Sequence, residues 1–486
     1  MAATGLSNPI LIIILVILIS IITAAALRKI SKITLVLLII LVIGTALRLR
    51  WIDQPYVDAF SWRQSSVAMI AENYFKTNPN ILYPEVNWSG PGPNYQGREF
   101  QTVSYLATII YRVLDQRDWI GRSVAVVFGV WGIFALYKLV ALAWDKKLAP
   151  LSAAFMAILP ASVFIERSFL PDPAMVALMT TSLWLFVRYL KSDRLLFLIL
   201  AGLTGALGVL TKLPGLIIGL PALYALVVLL PKKPNPGQRL LIISLTGLLM
   251  LVPVILYYLW ARRLALLYPP HHFAGSGNWI WDVSSSELLG RYYFLKTLFR
   301  ISANWLWTVP VMVLTLIGFG SLIFSWWANY RRDKPKLNYE LPLIFPWWLI
   351  AAAIYYAIGA KELVKNPWNF HIVTPAIAAL SALAIAIVLR VVQRRKWTPA
   401  TAAITMGLLI LLWGVGFNQN LKRLYKSRAH DDYLLGLRLR ELSEPGDMVV
   451  TINDVLGEPT AIFYSQRRGW IYPPARSGDW TDLLNN

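Results

Sequence analysis

Three acidic residues and a group of cations are the parts of this chain whose types and spacing could do chemistry. Asp58 lies in Asp58-Ala59-Phe60-Ser61-Trp62-Arg63-Gln64, Glu99 in Gly97-Arg98-Glu99-Phe100, and Asp172 in Arg167-Ser168-Phe169-Leu170-Pro171-Asp172-Pro173. Arg63 and Arg167 stand beside them, Lys212 sits in Thr211-Lys212-Leu213-Pro214-Gly215, and Lys361, Lys365 and His371 surround Pro367-Trp368-Asn369-Phe370. A carboxylate in reach of a hydroxyl can take its proton, and Lys and Arg hold phosphate by charge-assisted hydrogen bonds. Singly, each has a plain structural reading. Asp58 can cap the helix that starts near Ser61, and Asp172 before Pro173 matches an N-cap pattern. Glu99 can favour a helix N-terminus through the dipole, and an isolated Lys can snorkel to a membrane interface. Gathered on one face, acids and bases together suit a phosphate-bearing amphiphile. His271-His272 is a weak metal signal by itself, and the absence of Cys excludes disulfides and thiolate metal sites.

The elements that must position these groups are membrane spans. The chain has 486 residues, 57% of them hydrophobic, with a mean hydropathy of +0.56, above the composition of soluble domains. The excess falls in blocks long enough to cross a bilayer, at about 8–27, 32–47, 122–143, 149–166, 173–190, 195–211, 215–230, 240–260, 304–327, 341–359, 370–389 and 399–416. Every second connection is short and basic: Arg28, Lys29 and Lys32; Lys146 and Lys147; Lys191 and Arg194; Lys232, Lys233 and Arg239; Arg331 to Lys336; Arg390 to Lys396. That alternation marks them as cytoplasmic and accounts for much of the net charge of +21. No nucleic-acid motif accompanies the charge, so nucleic acid is set aside as a partner.

The expected fold class is therefore an all-α polytopic membrane protein of about 12 transmembrane helices, with extracytoplasmic loop helices and a small α/β C-terminal appendage. Residues 1–31 form an extra N-terminal span, not a cleavable signal, because positive charge follows the apolar stretch and does not precede it. Residues 32–416 form the catalytic membrane domain, with outward loops at about 48–121 and 261–303, and 417–486 a small outward domain. Segments 65–76 and 101–114 read as helices lying along the membrane surface. In the tail, 431–442 reads as a helix, Met448–Ile452 as a strand and 459–468 as a helix.

Asp58 in DAFSWRQ, Glu99 in GREF, Asp172 in RSFLPDP, Lys212 in LTKLPG and His371 in NFHIVTPAIAAL occur in this order around the spans. Over about residues 32–390 the pattern resembles the GT-C glycosyltransferases, in the branch of the protein O-mannosyltransferases and the lipid A aminoarabinose transferase. The resemblance implies a GT-C fold and an inverting transfer of sugar from a polyprenyl-phosphate carrier to an acceptor hydroxyl on a lipid, protein or glycan. The enzyme would sit in the cytoplasmic membrane, among its lipids, with an extracytoplasmic active site. Asp58 becomes the catalytic base, with Asp172 and Glu99 as further catalytic carboxylates. Arg63, Lys212, His371 and Lys365 become binders of the donor phosphate. Many relatives carry a second acid directly after the base, where this chain has Ala59. No cofactor is expected, and the question of a divalent ion stays open at that position. Two other readings compete. A transporter or flippase for a lipid-linked glycan would show symmetric halves or interrupted helices, and neither is legible here. An O-antigen ligase or polymerase would depend on Arg-rich outward loops more than on an early Asp.

Overall fold

The computed structural model describes residues 31–273, 299–332, 339–359, 363, 366–394, 407, 414–452 and 459–472. The span expected at 8–27, most of that at 399–416, and Lys361 and Lys365 lie outside the described residues.

Among the described residues, six helical segments are long and apolar enough to cross a membrane: Asp118–Ala143, Asp172–Ser192, Leu213–Lys232, Pro236–Leu267, Val309–Ala328 and Pro367–Val391. Ala149–Ile158, Leu195–Thr211 and Ile344–Ile358 are apolar but shorter. In chain order the helices are α1 (Lys32–Arg48), α2 (Ser61–Lys76), α3 (Thr102–Leu114), α4 (Asp118–Ala143), α5 (Ala149–Ile158), α6 (Pro160–Ile165), α7 (Asp172–Ser192), α8 (Leu195–Thr211), α9 (Gly219–Leu229), α10 (Pro236–Leu267), α11 (Val309–Arg332), α12 (Ile344–Ile358) and α13 (Thr374–Arg394). The turns of the basic face are tied by ion pairs. Asp193 meets Lys233 at 3.2 Å and Arg239 at 2.5 Å, and Lys191 meets Glu340 at 2.6 Å. The long loops and the candidate site lie at the other helix ends.

The block read as one span at 149–166 is interrupted, a correction to the uninterrupted reading. Pro160 has no N–H to donate to the carbonyl four residues back. Leu159 turns extended at ψ 136°, and α5 gives way to the short α6. The freed carbonyls are not left bare. Arg48, at the end of α1, donates from Nη1 to the Ala157 oxygen at 2.9 Å and from Nη2 to Met156 at 3.2 Å.

In the first long loop, α2 is almost wholly buried and α3 lies against it. Their polarity runs opposite to that of a soluble surface helix. Ser104 and Thr108 face inward, donating to the Val67 and Ala71 carbonyls at 3.1 and 3.0 Å, while Leu106, Ile109, Val113 and Leu114 are exposed. An apolar outer face over a polar inner one suits a helix bathed in lipid at the interface.

The tail builds α14 (His430–Leu442), β1 (Met448–Ile452), α15 (Thr460–Ser465) and β2 (Arg468–Tyr472). The expected helix over 459–468 is shorter, because Gln466 turns left-handed at φ 54° and redirects the chain. Aromatic and β-branched residues at 470–472 then suit a strand, and β2 pairs parallel with β1, Met448 opposite Arg468. This unit seats on the first loop. Val449, Ile462 and Phe463 share a core with Tyr56, Met69, Ile70 and Tyr111. Polar contacts pin the seam: Tyr464 Oη donates to Asp118 Oδ2 at 2.8 Å and accepts the Tyr56 N–H at 2.7 Å, and Arg468 meets Glu85 at 2.6 Å.

Candidate functional site

The loop-side helix ends converge on three groups of charge. The innermost is Arg48, Glu166 and His371, each at most 1% exposed. Arg48 reaches Glu166 Oε2 through Nε at 2.8 Å and Nη2 at 2.6 Å. The other oxygen, Oε1, lies 3.1 Å from His371 Nε2, without the alignment of a hydrogen bond, while His371 Nδ1 is 3.2 Å from Thr374 Oγ1. The α4 backbone makes room for Glu166, since a Cβ at Gly129 would sit 2.6 Å from its carboxylate. His371 therefore faces the bundle interior.

Asp58 forms the second group. Its Oδ1 accepts Gln64 Nε2 at 2.7 Å and the Phe60 N–H at 3.2 Å. Its Oδ2 faces Arg167 Nη1 at 3.3 Å and Arg122 Nη2 at 3.4 Å. The two guanidiniums also donate to loop carbonyls, Arg167 to Trp51 at 2.7 Å and Arg122 to Pro55 at 3.1 Å and to Gln54. Asp58 is 0% exposed. It holds the segment that links α1 to α2, and both its oxygens are occupied.

The third group is more open. Asp172 starts α7, and its Oδ1 takes Lys212 Nζ at 2.6 Å. Lys212 also donates to Asn369 Oδ1 at 2.8 Å, which joins α7, the α8 end and the 3-10 turn Pro367–Val373. Asp172 Oδ2 has no partner among the described residues. A buried carboxylate oxygen left unfilled is costly unless something binds there. Nearby, Arg63 on α2 is paired with Glu99, which anchors it to the loop ahead of α3. Burial draws the Arg63 guanidinium down to about 10, with Asp172 pushing back up, so it remains a cation at neutral pH. Neither acid plays its plain structural part. Asp172 spends one oxygen on Lys212 and makes no cap bond, and Glu99 lies three residues ahead of α3.

Asp172 and Lys212 thus come together in direct contact, as do Arg63 and Glu99. Asp58 and His371 sit in separate buried networks, and Lys365 is outside the described residues. Sequence reasoning passed over Glu166, Arg48, Arg122, Asn369 and Gln64. The signal for the charged three was an ionisable side chain at the end of an apolar block. Asn369 and Gln64 carried none. Among the described residues, no three His, Asp or Glu side chains converge as metal ligands, His271 and His272 included.

The fold resembles those of known proteins. The architecture is that of the GT-C glycosyltransferases. Two solved structures of ArnT from Cupriavidus metallidurans resemble it. One is apo, with 15% identity and a TM-score of 0.60, over 90% of this chain and 85% of that one. The other is bound to undecaprenyl phosphate, with 16% identity and a TM-score of 0.60, over 93% and 87%. An Archaeoglobus fulgidus oligosaccharyltransferase, solved with Zn and sulfate, matches with 16% identity and a TM-score of 0.58, over 90% of this chain and 62% of that one. Residues 102–262 match the family model of the dolichyl-phosphate-mannose-protein mannosyltransferases. No curated protein sequence matches the chain.

Proposed function

We propose that this protein is an inverting glycosyltransferase that moves a sugar from a polyprenyl-phosphate carrier to an acceptor hydroxyl on the extracytoplasmic face of the membrane. The GT-C architecture and the 102–262 match support the reaction class. The observation that carries the reading is Asp172 Oδ2, a carboxylate oxygen without a partner among the described residues, beside Lys212 and within the field of Arg63. A base with a free lone pair next to cations is what displacement of a phosphate by a hydroxyl requires.

The roles follow from which lone pairs are free. Asp172 Oδ2 takes the acceptor O–H proton, and the oxygen attacks the anomeric carbon. The carbon–oxygen bond to the lipid phosphate breaks, and its electron pair leaves on the phosphate, which nearby cations stabilise. Glu99 keeps Arg63 in place. Asp58, the base implied by the sequence pattern, instead holds Arg122 and Arg167. No metal is routed into the reaction, because each site carboxylate already has a cationic partner and a phosphate leaving group needs little acid help.

The test is transfer by purified protein from polyprenyl-phosphate sugars, with lipid products read by mass spectrometry. Wild type is expected to release free polyprenyl phosphate, in EDTA as in its absence. Asp172→Asn should lose roughly 10²- to 10⁴-fold in rate while staying folded. Full transfer by Asp172→Asn, with a well-folded Asp58→Asn inactive, would return the base role to Asp58. No release from any donor would favour the transporter or ligase reading. The break at Pro160 does not favour a transporter by itself, because Arg48 fills its freed carbonyls.

A further inference from the structure

Each phosphate binder expected from the sequence and described in the structure is already engaged: Arg63 by Glu99, Lys212 by Asp172 and Asn369, and His371 turned toward Glu166. Among the described residues, the buried arginines Arg48, Arg63, Arg122, Arg167 and Arg467 all donate to a carboxylate or a carbonyl. Arg98 is the exception. It is 3% exposed, and its Nε and Nη1 find no acceptor. Its guanidinium carbon lies over the Trp88 ring, 5.9 Å from the centroid. A buried guanidinium without an anion is a large desolvation penalty to carry.

The backbone holds Arg98 firmly in that position. Gly97 donates to the His272 carbonyl at 2.8 Å, and the Arg98 carbonyl accepts Tyr257 Oη at 3.0 Å, which ties it to α10. A Cβ at Gly97 would overlap the Ala261 carbonyl oxygen, so the chain passes this close to α10 only as glycine. Arg98 is also the chain neighbour of Glu99, hence of the Arg63 pair, and Arg63 is the charge that acts most on it. Asp172 acts on Arg63 in turn. Arg98, Arg63 and Asp172 thus belong to one run of interacting charges, which includes the free carboxylate oxygen.

We infer that the Arg98 guanidinium, buried without an acceptor beside the Arg63–Glu99 pair, is the seat of the carrier lipid's phosphate. The inference deepens the transferase reading and rests on it for the lipid's role as donor. Arg98 supplies charge-assisted N–H donors from Nε and Nη1 to the phosphate in the ground state and to the free phosphate that departs.

The experiment uses the full chain in lipid nanodiscs, with three probes: a polyprenyl phosphate without sugar, the corresponding polyprenol, and inorganic phosphate. Binding and thermal unfolding are read for wild type, Arg98→Gln and Arg98→Lys. Polyprenyl phosphate should bind wild type and raise its Tm, and polyprenol should not. Arg98→Gln without ligand should unfold at or above the wild-type temperature, because it removes an uncompensated buried charge. It should bind polyprenyl phosphate roughly ten- to a hundredfold more weakly, and Arg98→Lys should recover part of the loss. Equal binding by Arg98→Gln and wild type overturns the inference, as does a marked fall in the Tm of unliganded Arg98→Gln. If inorganic phosphate alone reproduces the Arg98-dependent shift, the site takes the free anion and the lipid assignment falls. Arg98-dependent lipid binding by a wild type that transfers no sugar would sink the transferase reading and keep this site. Active transfer with an unchanged donor KM in Arg98→Gln would do the reverse.

Discussion

Asp58 and Asp172 are chemically identical side chains that differ in what fills their lone pairs. Two guanidiniums, an amide and a backbone N–H occupy Asp58, whereas Asp172 spends one oxygen on Lys212 and keeps the other. Their Asn variants should therefore fail differently. Asp58→Asn strands Arg122 and Arg167 as buried, uncompensated cations, a loss of about 3–5 kcal/mol for a broken buried pair, visible as a lower Tm. Asp172→Asn should leave the Tm near wild type and lower turnover, because the amide can still accept from Lys212 but cannot take a proton. Should Asp58→Asn unfold at the wild-type temperature, the structural role assigned to Asp58 is wrong.

At the scale of elements, the interrupted α5–α6 pair depends on a distant helix end. Pro160 frees carbonyls that Arg48 collects, and the same guanidinium neutralises Glu166. Arg48→Met should cost about 3–5 kcal/mol, because it leaves an unpaired buried carboxylate and bare carbonyls. Adding Glu166→Gln should recover a good part of that loss. Thermal unfolding of the two single variants and the double closes the cycle, and strict additivity would show that the two side chains act independently. Gly129→Ala, which presses a methyl against Glu166, should cost about 1–3 kcal/mol by overpacking.

At the scale of the whole molecule, the tail is part of the site's foundation. Ile462 and Phe463 pack under α2, the helix that carries Arg63. Ile462→Ala should destabilise by about 2–5 kcal/mol and lower transfer, although residue 462 touches none of the proposed chemistry. Unchanged Tm and activity would show the tail to be dispensable. The side on which this assembly lies is open to a direct test, because the chain has no Cys of its own. A cysteine at 235, in the basic turn between α9 and α10, should resist an impermeant thiol reagent applied to intact cells. Labelling there would invert the orientation.

Much of the architecture was legible because it follows from local physics. Apolar runs of bilayer length, the alternation of basic turns, and the loop helices, read at 65–76 and 101–114 and found at 61–76 and 102–114, need nothing beyond residue type and spacing. The candidate acids were legible too, as ionisable groups crowded at span ends. Other features were decided between segments far apart in the chain. Which oxygen of which Asp stays free depends on where Arg122, Arg167 and Lys212 arrive from other segments of the chain. Arg98 stands out only once every other buried arginine has found an acceptor. The seating of the tail depends on Val449, Ile462 and Phe463 meeting apolar side chains of 56–70. Composition and periodicity report how a residue relates to its near neighbours. Charge pairing and burial are set by neighbours tens to hundreds of residues away, and only the folded chain brings them within hydrogen-bonding distance.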